Sequence, residues 1–127
     1  MANDDPSDDR TLAIILAISK RERNVELLAE LLERLGYRVP VATDMDEFDE
    51  LLETRDDVAL VVLDIDGFSK TVLDRCAELK DRGVPALVLT SNDTPAVRER
   101  AMSKGARAIL EKPVEKAEIR ATIEGVL

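Results

Sequence analysis

The sequence predicts an α/β fold in which five β-strands, each followed by a helix, form a doubly wound parallel sheet. Short apolar runs of strand length alternate along the chain with longer segments whose apolar residues recur every three or four positions. Connections between such units are right-handed, so helices are expected on both faces of the sheet. The 127 residues suffice for one domain whose core needs no disulfide.

The first two strand–helix units are predicted within residues 12–54. The run "LAIILAI" (12–18) has the length and isoleucine content of a strand, and the helical segment 22–36 ends at Gly36. The run "YRVPVAT" (37–43) is a weaker strand, and Pro40 favours an edge position for it. Asp44 and Glu47 have the spacing of a capping box at the start of the second helix.

The remaining three units are predicted within residues 58–127. The strands are "VALVVLD" (58–64), "PALVLT" (85–90) and "ARAIL" (106–110), and helices are expected over 69–83, 94–105 and 114–127. Thr94 as N-cap, with Pro95 in the first turn, defines the start of the fourth helix. Residues 11–127 are therefore predicted to be one domain, preceded by an acidic flexible tail at 1–10.

Composition limits the function of this domain. A net charge of −9 argues against a nucleic-acid partner, and the absence of histidine excludes imidazole catalysis and histidine-ligated metals. No apolar run approaches the ~20 residues of a membrane span. The single cysteine, Cys76, lies on the apolar side of a predicted helix and is expected to be a buried thiol. We expect a cytoplasmic protein without membrane contact.

Polar residues stand at the ends of three predicted strands. Asp64 ends the third strand, with Asp66 two residues later, while Thr90 ends the fourth and Lys112 follows the fifth. The carboxyl ends of parallel strands meet at one edge of the sheet, where α/β folds hold their ligands. A carboxylate to accept a phosphoryl group, an ammonium to neutralise its oxygens and a hydroxyl to hydrogen-bond to it form a candidate phosphoryl site.

The segments "LVVLD", "ALVLTS", "KGARAILEKPV" and "LLAELLERLGYRV" resemble the receiver domain (CheY-like) of two-component response regulators over residues 11–127. The resemblance implies a flavodoxin-like sheet of order 2-1-3-4-5. It also implies that Asp64 is the phosphoacceptor, Thr90 the switch hydroxyl and Lys112 the phosphate-contacting lysine, with a cis Lys112–Pro113 bond. A protein partner, either a histidine kinase or an output domain, and a signalling rather than an enzymatic role follow from the same resemblance.

The sequence departs from the family pattern at the acidic pair and at one aromatic position. The family has an acidic pair after strand 1 that holds Mg²⁺, where this chain has Ser19 and Lys20, followed by Arg21; Ile109 replaces the strand 5 aromatic residue. Because Mg²⁺ needs clustered oxygen ligands, we expect weak or absent Mg²⁺ binding, no other cofactor, and impaired phosphorylation. We further expect Lys20 or Arg21 to pair with Asp64 where the metal would bind.

Two alternatives remain open from the sequence. The first is an ordinary phosphoaccepting receiver switched at Asp64. The second and more remote is a haloacid-dehalogenase-like phosphatase, because "LDIDG" resembles that family's first motif, with Asp64 as nucleophile and Asp66 as acid/base. Phe68 stands where that motif has a small residue, and two strand–helix units precede it.

Overall fold

The computed structural model describes residues 12–127, so the tail predicted at 1–10 lies outside the described residues. The strands are β1 (Ile14–Ile18), β2 (Val41–Ala42), β3 (Val58–Asp64), β4 (Ala86–Thr90) and β5 (Ala108–Glu111). The helices are α1 (Glu22–Arg34), α2 (Met45–Thr54), α3 (Asp74–Asp81), α4 (Pro95–Ser103) and α5 (Lys116–Val126). One turn of 3₁₀ helix, Lys70–Leu73, precedes α3.

The five strands form one parallel sheet in the order β2-β1-β3-β4-β5, which confirms the predicted topology. The edge strand β2 is only two residues long, and the preceding Pro40 has no N–H to donate, although its carbonyl accepts a hydrogen bond of 3.0 Å from Ala17. Because β1, β3, β4 and β5 are consecutive neighbours, the residues that follow their carboxyl ends lie along one edge.

The core consists of two apolar layers, one on each face of the sheet. Along β3, Val61 and Leu63 contribute to the first layer, whereas Leu60 and Val62 contribute to the second. Both faces are covered by helices, which is why the central strands are apolar without alternation. The helix residues of the first layer include Phe48, Leu52, Cys76, Leu79 and Ala101, and those of the second include Leu32, Ile119 and Ile123.

Helix α2 begins at the predicted cap. The Asp44 carboxylate accepts a hydrogen bond of 2.8 Å from the Glu47 backbone N–H. The Glu47 side chain accepts a hydrogen bond of 2.8 Å from the N–H of Thr43, one residue before the position expected in a capping box. At α4, Thr94 accepts a hydrogen bond of 3.2 Å from the Val97 N–H, as predicted for an N-cap.

Several element boundaries differ from the prediction by one or two residues, and β2, β1 and the third helix differ for identifiable reasons. Strand β2 is shorter than residues 37–43, since Pro40 interrupts its ladder. Strand β1 begins at Ile14 rather than Leu12, which is 36% exposed. The third helix begins with a 3₁₀ turn in which Val72 donates to the Ser69 carbonyl at 3.0 Å, and α-helical geometry starts at Asp74.

Cys76 is fully buried in the first core layer, as predicted. Burial raises the pKa of its thiol to about 11, so the thiolate is disfavoured at neutral pH. Across residues 12–127, every helix is too short or too polar to cross a membrane.

Helix α1 offers a matched test of the second core layer. Leu32 is fully buried, whereas Leu27 on the same helix is 51% exposed. Leu32→Ala should lower the free energy of unfolding by about 2–5 kcal/mol because it leaves a cavity. Leu27→Ala should change it by less than about 0.5 kcal/mol. Urea unfolding followed by circular dichroism measures both, and equal losses would contradict this assignment of the core face.

Candidate functional site

Asp64 is a buried carboxylate at the end of β3, only 4% exposed. The Lys112 ammonium lies 3.0 Å from its Oδ1 and 2.9 Å from its Oδ2. The Ser19 hydroxyl, at the end of β1, donates a third hydrogen bond to Oδ2 at 3.0 Å. A buried carboxylate requires such partners, because an unpaired charge is strongly disfavoured away from water.

A second carboxylate, that of Asp66, adjoins the first. Its Oδ1 accepts a hydrogen bond of 2.9 Å from the Thr90 hydroxyl, and the Ser91 backbone N–H lies 3.2 and 3.1 Å from its two oxygens. Lys112 Nζ lies 2.9 Å from Asp66 Oδ2. The Lys112 ammonium therefore bridges both carboxylates, and Thr90 bonds to Asp66.

The pKa values of Asp66 and Lys112 are both shifted from their usual values. Burial opposes ionisation of Asp66, but the hydrogen bonds from Lys112, Ser91 and Thr90 together lower its pKa below the usual 3.8. Burial likewise opposes the charged form of Lys112, and the hydrogen bonds and charges of Asp64 and Asp66 outweigh it, raising the Lys112 pKa above 10.5. At neutral pH, Asp66 and Lys112 thus form an ion pair.

Backbone hydrogen bonds between neighbouring strand ends position these side chains. The Ile65 N–H donates to the Leu89 carbonyl at 3.0 Å, so the chain continues alongside β4 beyond Asp64. The Lys112 N–H donates to the Thr90 carbonyl at 2.9 Å, which places Lys112 next to β4. The Lys112–Pro113 bond is cis, as the family resemblance implied.

The predicted pairing of Asp64 with Lys20 or Arg21 is wrong. Successive side chains of a strand point to opposite sides, and Ser19 is the residue that reaches Asp64. Lys20 instead lies with its Nζ 5.5 Å from the centre of the Phe68 ring. Arg21 is exposed at the N-cap position of α1. The cation that pairs with Asp64 is Lys112.

The turn after Asp66 allows this placement of Lys20. Gly67 has a φ of +84°, a conformation that residues with a side chain rarely adopt. A Cβ at this position would lie 3.4 Å from the Lys20 Cδ, so the lysine stem packs directly over the turn. The stem thus covers backbone, while its ammonium remains on the Phe68 side of the site.

The geometry brings together Asp64, Thr90 and Lys112, the three strand-end residues that the sequence singled out. Ile109, the departure at the aromatic position, is buried in the first core layer. Sequence reasoning missed the hydrogen bonds that Asp66 accepts from Thr90 and from the Ser91 N–H. The only signal for them was the spacing of Asp66 two residues beyond a strand end.

A polar cleft opens beside the two carboxylates. Its lining residues are Ser19, Lys20, Arg21, Asn24, Asp66, Gly67, Ser91 and Lys112. Three of these carry positive charge and one carries negative charge, so the lining favours an anion. Within residues 12–127, no group of three or more acidic, histidine or cysteine side chains is arranged to hold a metal ion.

The bridging ammonium should contribute measurably to stability. Lys112→Met keeps the aliphatic stem and leaves two carboxylates without their cation, so we expect a loss of about 2–3 kcal/mol, less than for a fully buried pair because 22% of Lys112 is exposed. Lys104→Met, which breaks an exposed pair with Asp74, is the control and should lose about 0–1 kcal/mol. Urea unfolding at neutral pH distinguishes them, and similar small losses would show that the bridge is not stabilising.

The lowered pKa of Asp66 predicts a pH dependence. Its ionised form contributes stability that is present above the usual pKa of 3.8 and is lost as the pH falls through the lowered folded value. Asp66→Asn should therefore be less stable than the wild type at about pH 6, and the difference should shrink as the pH falls below about 4. Unfolding free energies measured across this range test the sign; a difference independent of pH would refute it.

Comparison with known proteins identifies the family. Residues 15–124 match the family described as "Response regulator receiver domain". The alkaline phosphatase synthesis transcriptional regulatory protein PhoP of Bacillus subtilis is 30% identical over 115 residues, covering 89% of this chain and 48% of that protein. The chain thus spans about half the length of this curated relative.

Solved structures agree with the fold. The chemotaxis protein CheY4 of Vibrio cholerae superposes with a TM-score of 0.82 at 21% identity, covering 92% of this chain and 100% of that one. A response regulator protein from Burkholderia pseudomallei with a phosphorylated aspartic acid, calcium ion and citrate gives a TM-score of 0.76 at 26% identity, covering 89% and 71%. The family match covers all five strands except the first residue of β1, and it shows that the chain belongs to the response regulator receiver domains of two-component signalling.

Proposed function

We propose that this receiver acts through protein–protein contacts and is impaired in Mg²⁺-dependent phosphorylation of Asp64. The observation that carries the proposal is the complete engagement of the Asp64 carboxylate by Ser19 and Lys112. Asp64 is also only 4% exposed, so an incoming phosphodonor has to compete with internal partners at a nearly closed position.

The side chains around Asp64 do not fit a magnesium ion. Mg²⁺ takes near-octahedral oxygen coordination and releases its hydration water reluctantly. At the end of β1 the chain offers the Ser19 hydroxyl, which already donates to Asp64, and Lys20, which has no oxygen in its side chain. The Lys112 ammonium contacts the two carboxylates that a cation would need. This donor set supports impaired metal binding.

Contacts with a partner would be controlled from the β4 end of the site. Thr90 ends β4, Ser91 begins the connection to α4, and both donate to Asp66. A change at Asp64 or Asp66 would therefore move this connection, and with it the surface of α4. We propose a histidine kinase or an output domain as the partner, neither nucleic acid nor membrane, and a binding rather than an enzymatic role in the cytoplasm.

The ordinary phosphoaccepting receiver is the second candidate. It is favoured by the convergence of Asp64, Thr90 and Lys112 and by the phosphorylated aspartic acid of the Burkholderia relative. The phosphatase alternative has less support, because the carboxylate it requires as acid/base, Asp66, is ionised and bound to Lys112, and Asp64 ends the third strand of the fold.

Acetyl phosphate labelling decides between the first two candidates. The wild type, incubated with acetyl phosphate and millimolar Mg²⁺, should show no labelling above a metal-free sample, by intact mass and Phos-tag electrophoresis. The double variant Ser19→Asp/Lys20→Asp should gain Mg²⁺-dependent labelling, because it supplies oxygen ligands beside Asp64.

Asp64→Asn added to the double variant is the control and should abolish the signal. Circular dichroism melting checks that each variant is folded. Mg²⁺-dependent labelling of the wild type at Asp64 would reject the proposed impairment and establish the ordinary receiver.

A further inference from the structure

Three donors from two strand ends converge on the Asp66 carboxylate. They are the Thr90 hydroxyl at 2.9 Å, the Ser91 backbone N–H at 3.1 Å and the Lys112 ammonium at 2.9 Å. A hydroxyl, a backbone N–H and an ammonium aimed at one point are the elements of an oxyanion-binding site. In this chain the anion at that point is supplied by the chain itself.

Asp66 lies next to Asp64, so the donors that bind Asp66 also lie close to the phosphoacceptor position. Lys112 Nζ is 2.9 Å from an oxygen of each carboxylate, and the Asp66 N–H lies 3.3 Å from Asp64 Oδ1. The donors that hold Asp66 are thus adjacent to the Asp64 oxygens. A phosphoryl group on Asp64, or a free phosphate beside it, would need the same donors.

The family resemblance already implies phosphoryl contacts for Thr90 and Lys112; we propose that in this chain the Asp66 carboxylate is a built-in occupant of that oxyanion site, held by Thr90, Ser91 and Lys112. While Asp66 occupies the site, Thr90 and Ser91 are bonded to an anion without any added group. An external oxyanion binds only by displacing the Asp66 carboxylate. The consequence for signalling rests on the proposed function, since it concerns the same receiver site. The external anion that competes with Asp66 belongs to the class that the resemblance implies, a phosphoryl group or phosphate.

Burial and charge are consistent with a displaceable occupant. Thr90 is only 2% exposed, so its hydroxyl is a fixed donor, whereas the Asp66 side chain is 30% exposed and lines the polar cleft. Asp66 can therefore leave the site without opening the core. Its lowered pKa keeps it ionised at neutral pH, where it repels an external anion from the donors.

The test is a titration with inorganic phosphate, followed by ¹⁵N–¹H NMR, in the absence of Mg²⁺ and of any phosphodonor. Asp66→Ala should bind phosphate at least about tenfold more tightly than the wild type, because the Thr90 hydroxyl and the Ser91 N–H lose their partner and Lys112 keeps only Asp64. The largest shift should occur at the Ser91 amide. Asp57→Ala is the matched control, since it removes the same charge before β3 begins, from an exposed side chain, and should behave as the wild type.

Two further measurements test the proposal even if Asp66→Ala does not fold. Asp66→Asn keeps the shape of the side chain and removes its charge, so it should also bind phosphate more tightly than the wild type, though less so than Asp66→Ala. In the wild type alone, hydrogen exchange of the Ser91 amide should be slow although the residue is exposed, because its N–H is bonded to Asp66.

The proposal is overturned by equal phosphate affinity of the wild type and Asp66→Ala, by absence of phosphate binding in both Asp66 variants, or by a fast-exchanging Ser91 amide. Equal gains in Asp57→Ala and Asp66→Ala would overturn it as well, since they would reflect net charge alone. None of these outcomes bears on phosphorylation, which acetyl phosphate labelling of the wild type tests separately.

Discussion

The Lys112 ammonium, placed between two carboxylates, is the interaction on which the rest of the site depends. It lies within 3.0 Å of Asp64 and Asp66, and these in turn hold Ser19 of the β1 end and Thr90 of the β4 end. Side chains from four strand ends are thereby joined through one cation. Without it, two neighbouring carboxylates, one of them buried, would repel each other at the edge of the sheet.

The apolar layers make such a polar edge tolerable. Strand β3 is covered on both faces, so the sheet derives its stability from burial along the strands, and the carboxyl ends are left to hold polar groups. The parallel order β2-β1-β3-β4-β5 then determines which ends are neighbours. Backbone hydrogen bonds just beyond the strands, such as that from the Lys112 N–H to the Thr90 carbonyl, keep the site residues in the same order as the strands.

In the proposed function, the chain supplies both ions of its site. Lys112 provides the positive charge at Asp64, and Asp66 provides the anion at Thr90 and Ser91. A site that is satisfied internally has less to gain from an added metal or phosphoryl group, because either must first displace an existing partner. Under this proposal the surface that contacts a partner exists without phosphorylation. The segment whose conformation could still change is the β4–α4 connection.

Five strand–helix units, a buried Cys76 and a shared edge for Asp64, Thr90 and Lys112 could be predicted from the order of the residues, and the family resemblance added the strand order. The units follow from periodicity, and the shared edge follows from the rule that the carboxyl ends of parallel strands lie on the same side of a sheet. The pairing of Asp64 with Lys112 rather than Lys20, and the hydrogen bond from Thr90 to Asp66, became visible only in the folded chain. The physical reason is that partner choice at a strand end depends on side-chain direction and on the path of the turn at Gly67, and neither is encoded in the spacing of the residues.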